Sequence, residues 1–141
     1  MKLTNTELTT SFVTSLAELS TMRTNTKVAF NTAKTIKSTN SAIESFQLAR
    51  KTIVETRCII GEDNKPVMGM VDTINNKGEA VKQLDYTFTT PELKTETLNL
   101  INELNTQEVE IEIYPIKISD FGSTEISATT ILGLKDFIIE G

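Results

Sequence analysis

The chain has 141 residues, a length suited to one domain with a real core. Hydrophobic residues make up 38% and charged residues 23%, which excludes wholesale disorder, collagen-like repeats and a disulfide scaffold. With no His and a single Cys, Cys58, one chain can build no Cys/His zinc site, no Ser-His or Cys-His pair, no His proton shuttle and no internal disulfide.

Residues 1–5 lack the apolar core of a signal peptide, and runs such as Cys58-Ile59-Ile60 fall far short of the ~18 apolar residues of a membrane span. The expectation is a protein that is neither secreted by a signal peptide nor inserted in a membrane. Charge divides the chain. Residues 1–57 carry +4 and residues 58–141 carry −9, for the net charge of −5. Opposite halves can attract within a subunit or between subunits, or the basic half can meet an anion. Nucleic acid is the weakest of these, because the basic residues are diluted by Thr and Ser, have few aromatic neighbours and sit in an acidic protein.

The first helix starts at a capping box. In Thr4-Asn5-Thr6-Glu7 the Thr4 hydroxyl can accept from the third amide while Glu7 reaches back. Leu3 and Leu8 have staple spacing, and Leu8, Phe12, Leu16 and Leu19 form one apolar face, which predicts a helix over about 5–21. Thr24-Asn25-Thr26 is a polar break and a candidate cap for a second helix. From Thr26 the period runs through Ala29, Ala33, Ile36, Asn40, Ile43, Phe46, Arg50 and Ile53, with no Gly or Pro between residues 23 and 60. That is a helix of roughly 30 residues, ~45 Å long. Ala29 and Ala33 would admit a close partner helix, Phe30 and Phe46 read as core, and Asn40 faces solvent or fixes the register of a coiled coil. The 23 threonines are weak helix formers, so packing must hold these helices together.

Gly61-Glu62-Asp63-Asn64-Lys65-Pro66 is a turn and lacks the ligand spacing of a calcium loop. A second turn is expected at Asn75-Asn76-Lys77-Gly78, and Leu84, Tyr86 and Phe88 alternate as in a short strand. Thr90-Pro91-Glu92 opens a helix over about 91–105, with Pro at its first position and an acid in its first turn. Glu108-Val109-Glu110-Ile111-Glu112-Ile113 alternates acid and aliphatic, the pattern of a half-buried strand. Pro115 breaks that parity and predicts a bulge or an edge. Ser127 caps a last helix over about 128–139, with Ile131, Leu134 and Ile138 facing inward. The fold class is α+β: a helical hairpin with one long helix, a small, mostly antiparallel sheet and two further short helices. The chain reads as one domain over 1–141, the hairpin occupying 1–57 and the α+β part 58–141.

The order of certain segments is family-like. Lys27-Val28-Ala29-Phe30 comes early in the long helix, and Asp63-Asn64-Lys65-Pro66-Val67 follows it. The acidic strand, Ile116-Lys117-Ile118-Ser119-Asp120, and Ile126-Ser127-Ala128 come next, before Leu134-Lys135-Asp136-Phe137-Ile138-Ile139-Glu140. Over residues 27–66 and 108–140 the chain resembles a family of small phage and prophage proteins, mostly of Gram-positive bacteria. The resemblance implies an origin in a phage. It supplies no catalytic residues to carry over.

Carboxylates are the only acid–base material. Neighbours on a strand point in parallel, so Glu108, Glu110 and Glu112 converge on no metal, and glycoside chemistry would want a cleft with aromatics. The stripe is either a solvated face that protects an edge or a negative surface for a basic partner. No Gly-rich phosphate loop is present. Arg57 beside Cys58 could lower the thiol pKa, but Ile59-Ile60 favour a buried, inert Cys. The expectation is a non-enzymatic phage-type protein acting by protein–protein interaction, a virion-associated or assembly component, without cofactor, metal or catalytic residues. Its candidate partner-binding residues are Glu108, Glu110, Glu112, Lys27, Lys34 and Arg50. Its partners would be further copies of itself or other phage structural proteins, in the host cytoplasm or the virion. The alternative is an inhibitor of host defence that binds a host protein or sequesters a small signalling molecule. An enzyme using carboxylates alone is the weakest reading.

Overall fold

A computed structural model describes residues 1–140. The fold is α+β, as the pattern of elements predicted. Four helical runs carry it. The first covers residues 5–20 and contains a π segment, Leu8–Phe12, between the α-helical stretches Asn5–Glu7 and Val13–Ser20. The long helix is Thr26–Glu55, the third Pro91–Thr106 and the last Ala128–Leu134.

Every helix begins where its local chemistry says it should. Thr4 and Glu7 close the capping box, Asn25 Oδ1 accepts from Val28 N at 3.0 Å, Thr90 Oγ1 accepts from Leu93 N at 3.1 Å, and Ser127 Oγ accepts from Thr130 N at 3.2 Å. The end of the last helix differs from the expectation. It stops at Leu134, because Lys135 turns to φ +49°, and a 3₁₀ turn, Lys135–Phe137, leads into a short strand.

The strands do not form one sheet. They make three separate pairs, two antiparallel and one parallel. Lys2–Thr4 pairs antiparallel with Glu108–Glu110, Leu3 opposite Val109. Met68–Ile74 pairs antiparallel with Ala80–Tyr86. Ile116–Lys117 lies parallel to Ile138–Ile139. The acidic strand is shorter than its alternation suggested, since the ladder ends at Glu110, yet the alternation of burial continues: Ile111 is buried, Ile113 half-buried, Glu112 exposed.

The contacts divide the chain at 47/48 and 103/104 rather than at residue 57. One compact unit comprises residues 1–47 and 104–141, the other residues 48–103. The first holds the main core: Leu3, Leu8, Phe12, Leu16 and Leu19 from the amino-terminal run, Val28 from the long helix, and Ile111, Ile116, Phe121, Leu134 and Phe137 from the carboxy-terminal segment. The inward face of the long helix is rotated from the stripe its apolar count suggested: Ile36 and Ile43 of that stripe are half-buried against the core, but the fully buried positions are others. Val28, Thr32, Thr35 and Thr39 are buried, at steps of 4, 3 and 4, while Ala29, Ala33 and Asn40 are exposed. Thr39 sits there because its hydroxyl donates to Thr35 O one turn back at 2.7 Å and leaves the methyl to pack, and Thr35 Oγ1 accepts from Tyr114 N at 3.1 Å, whereas Thr32 Oγ1 is buried without a partner. Phe30, expected in the core, is 61% exposed.

In the second unit Val54, Cys58 and Thr97 are buried. Ile59 joins the base of the hairpin: its amide donates to Thr87 O at 2.8 Å and its carbonyl accepts from Val67 N at 2.9 Å. At the tip, Asn75 Oδ1 accepts from the amides of Lys77 and Glu79, and Gly78 takes φ +77°, a conformation that glycine adopts without steric cost.

Candidate functional site

The six residues singled out from the sequence fall into different situations. Glu108 and Glu110 are exposed on the short strand, and Glu110 Oε1 lies 3.0 Å from the Met1 amino nitrogen. Lys27 is an internal tether: its ammonium lies 3.1 Å from Asp120 Oδ2, and Asp120 Oδ2 also accepts from Lys117 N at 3.0 Å. The Lys27 hydrogen bond, with the Lys117 amide second, holds the Asp120 carboxyl below the usual range. Arg50 is exposed in the 48–103 unit, whereas the other five belong to the first unit.

Two of the six meet around an aromatic ring. Lys34 Nζ sits 4.0 Å from the centroid of Tyr114 and 4.7 Å from that of Phe30, a double cation–π contact. A hydrogen bond to the Glu112 carboxylate, with slight desolvation and the carboxylate's charge behind it, pushes the Tyr114 phenol up. The backbone fixes this group. Tyr114 N donates to Thr35 Oγ1 at 3.1 Å and Asn31 Nδ2 donates to Pro115 O at 3.3 Å, so one turn of the long helix holds the 114–115 segment. Glu112, Tyr114, Lys34 and Phe30 thus form a charged and aromatic patch on the surface.

A shallow cleft of about 700 Å³ lies between the first and last helices, lined by Thr10, Ser11, Thr14, Ser15, Glu18 and residues of the last helix. Its one carboxylate is engaged: Thr130 Oγ1 donates to Glu18, and Ser127 Oγ lies 2.8 Å from Thr130 Oγ1. A row of hydroxyls joined to a carboxylate has no base strong enough to activate any of them at neutral pH. Cys58 is buried, and burial raises its thiol pKa above the ordinary value; a bond to its own backbone opposes this and the nearby Glu55 adds to it. Arg57 turns away to Ile53 O at 3.2 Å. The thiol is therefore a poor nucleophile at neutral pH. Among the described residues no three His, Cys, Asp or Glu side chains gather as a metal set, and no helix is long and apolar enough to cross a membrane.

The hairpin of the second unit holds a surface that sequence reasoning missed. The register places Met68 opposite Tyr86, Met70 opposite Leu84, Asp72 opposite Lys82 and Ile74 opposite Ala80, so all eight side chains share one face. Met68 is 43% exposed, Met70 60%, Ile74 71% and Leu84 60%. On the opposite face Gly69, Val71 and Thr73 are half-buried. The signal was available as Met68, Met70 and Ile74 at period two, but the polar residues and glycines around it obscured the pattern.

Searches against protein-family models, curated proteins and solved structures give no match to this chain.

Proposed function

We propose that this chain works by protein–protein contact and not by catalysis, as a virion-associated or assembly protein of a phage, residing in the host cytoplasm or the virion. The observation that carries the contact reading is the exposed apolar face of the hairpin. Four large apolar side chains in register on one face are what a soluble domain buries unless a partner covers them. The phage origin rests on the sequence resemblance over residues 27–66 and 108–140. The charged patch of Lys34, Tyr114 and Glu112 suits the rim of an interface, where polar groups stay wet and set orientation. Sequestration of an anionic signalling molecule is less well supported, because the cleft between the first and last helices is lined by hydroxyls and Glu18 rather than by Arg or Lys. Mass spectrometry of purified particles from the source tests the reading. The chain is expected in fixed proportion to the other particle proteins. Its absence from particles and from assembly intermediates, with altered phage susceptibility of a host that expresses it alone, would overturn the structural role in favour of the defence inhibitor.

A further inference from the structure

The occupant of the hairpin face can be argued from the face itself. We propose that it is the same face of a second copy of this chain, packed about a two-fold axis that runs along the ribbon; the proposal rests on the protein-contact reading above and names its partner.

With the strands aligned and the Asp72–Lys82 rows superposed, two ways remain to lay two identical ribbons face to face about a two-fold axis. If the axis runs across the strands at the Asp72–Lys82 row, Asp72 faces Asp72 of the second copy and Lys82 faces Lys82. Two like-charged pairs then sit at the centre of the contact, which disfavours it. If the axis runs along the ribbon, each row faces the same row with its two strands exchanged. Asp72 then meets Lys82 of the second copy twice, Met70 meets Leu84, Ile74 meets Ala80 and Met68 meets Tyr86. Every row becomes complementary in charge or in apolar character. Charge selects the second arrangement, and the apolar side chains on both sides of the central pair provide the attraction.

The area is of the right order. The exposures of Met68, Met70, Ile74 and Leu84 leave on the order of 450 Å² of apolar surface on each copy, against roughly 800 Å² per partner in a standard interface. Asp72, Lys82, Ala80 and Tyr86 lie on the same face and contribute to the remainder. Two ribbons packed this way form a small four-stranded sandwich with sheets ≈ 10 Å apart.

The test is sedimentation velocity on the full chain across a range of concentrations, with charge-swap variants whose folding is checked by circular dichroism. Wild type is expected to dimerise. Asp72→Lys alone, and Lys82→Asp alone, each place like charges in both central contacts, and each is expected to sediment as a monomer at concentrations where wild type is dimeric. Mixed together, the two variants are expected to form a heterodimer, and the double variant with both changes to regain the homodimer. A wild type that stays monomeric at high concentration overturns the proposal. So do single variants that dimerise as well as wild type, or folded single variants that fail to associate on mixing. These outcomes are independent of the particle assay: a monomer found in particles refutes self-association alone, and a dimer absent from particles refutes the virion role alone.

Discussion

Gly133 tests the packing of the last helix on the first. An ideal Cβ built at this position runs into Ser15 Oγ and lies 3.1 Å from both the Ser11 carbonyl oxygen and Ser15 Cβ. Ser15 is itself buried, and its Cβ and the Ser11 carbonyl belong to the helix rather than to a flexible tip, so the neighbourhood has little room to yield. Two effects oppose each other in Gly133→Ala. Helix propensity favours Ala by about 1 kcal/mol. Overpacking in a closed contact costs about 1–3 kcal/mol. The expected net effect is a loss of about 1–2 kcal/mol, a sizeable part of the ~5–15 kcal/mol of a typical domain. Urea unfolding should show a lower midpoint with an unchanged slope. Ser15→Ala removes the nearest atom, so the double variant should lose less than the two single changes together, with a coupling of about 1 kcal/mol. A Gly133→Ala protein as stable as wild type or more so, or strict additivity with Ser15→Ala, would refute the close contact.

Thr35→Val keeps the volume but removes the acceptor for the Tyr114 amide, and should destabilise by about 1–3 kcal/mol in the same assay. Thr52→Val, at an exposed site where the hydroxyl bonds only Leu48 O, should stay within about 0.5 kcal/mol. In a Tyr86→Phe background the ultraviolet titration of Tyr114 should run above the ordinary phenol value, and Glu112→Gln should bring it down. Because the folded pKa is the higher one, this pair's contribution is present below pH 10 and fades as pH rises through the folded value. Val109→Ala with Ile111→Ala should strongly destabilise the protein, since truncating the buried Ile111 costs about 2–5 kcal/mol and the half-buried Val109 adds a smaller loss. Changing Glu108, Glu110 and Glu112 together to Gln should leave the melting temperature nearly unmoved, and a large loss would mean that those carboxylates hold the fold.

Helix starts were legible because capping is local chemistry: Thr4, Asn25, Thr90 and Ser127 each bond the amide three residues ahead. The inward face of the long helix was not. Steps of three and four fit Ala29, Ala33 and Ile36 as readily as Val28, Thr32, Thr35 and Thr39, and an apolar count scores threonine as polar although its hydroxyl can be satisfied within the helix. The parallel pairing of Ile116–Lys117 with Ile138–Ile139 joins two-residue strands more than twenty positions apart, too short for any periodicity to show. Of the candidate residues, Lys34 and Glu112 come together only through Tyr114, a contact between distant segments that no local pattern encodes. The hairpin face, by contrast, was written at period two, and needed only the turn at Asn75 to set which residues oppose which.

The charge asymmetry is partly answered within the chain. Lys27 pairs with Asp120 in the first unit and Arg57 with Glu96 in the second, each joining the basic stretch to the acidic one. Exposed pairs of this kind contribute only about 0–1 kcal/mol each, so they set which segments meet more than they hold them together. They leave the net charge of −5 intact, and two copies brought face to face repel at long range. That repulsion is screened over about 30 Å at 0.01 M salt and about 8 Å at 0.15 M. The apolar rows on either side of the central Asp72–Lys82 contacts supply an attraction that salt does not screen. Self-association through the hairpin should therefore strengthen as salt rises from ~0.01 M to ~0.15 M, read as a lower dissociation constant by sedimentation. Association that weakens steadily over the same range would mean that attraction between exposed opposite charges, and not the apolar face, holds the two copies together.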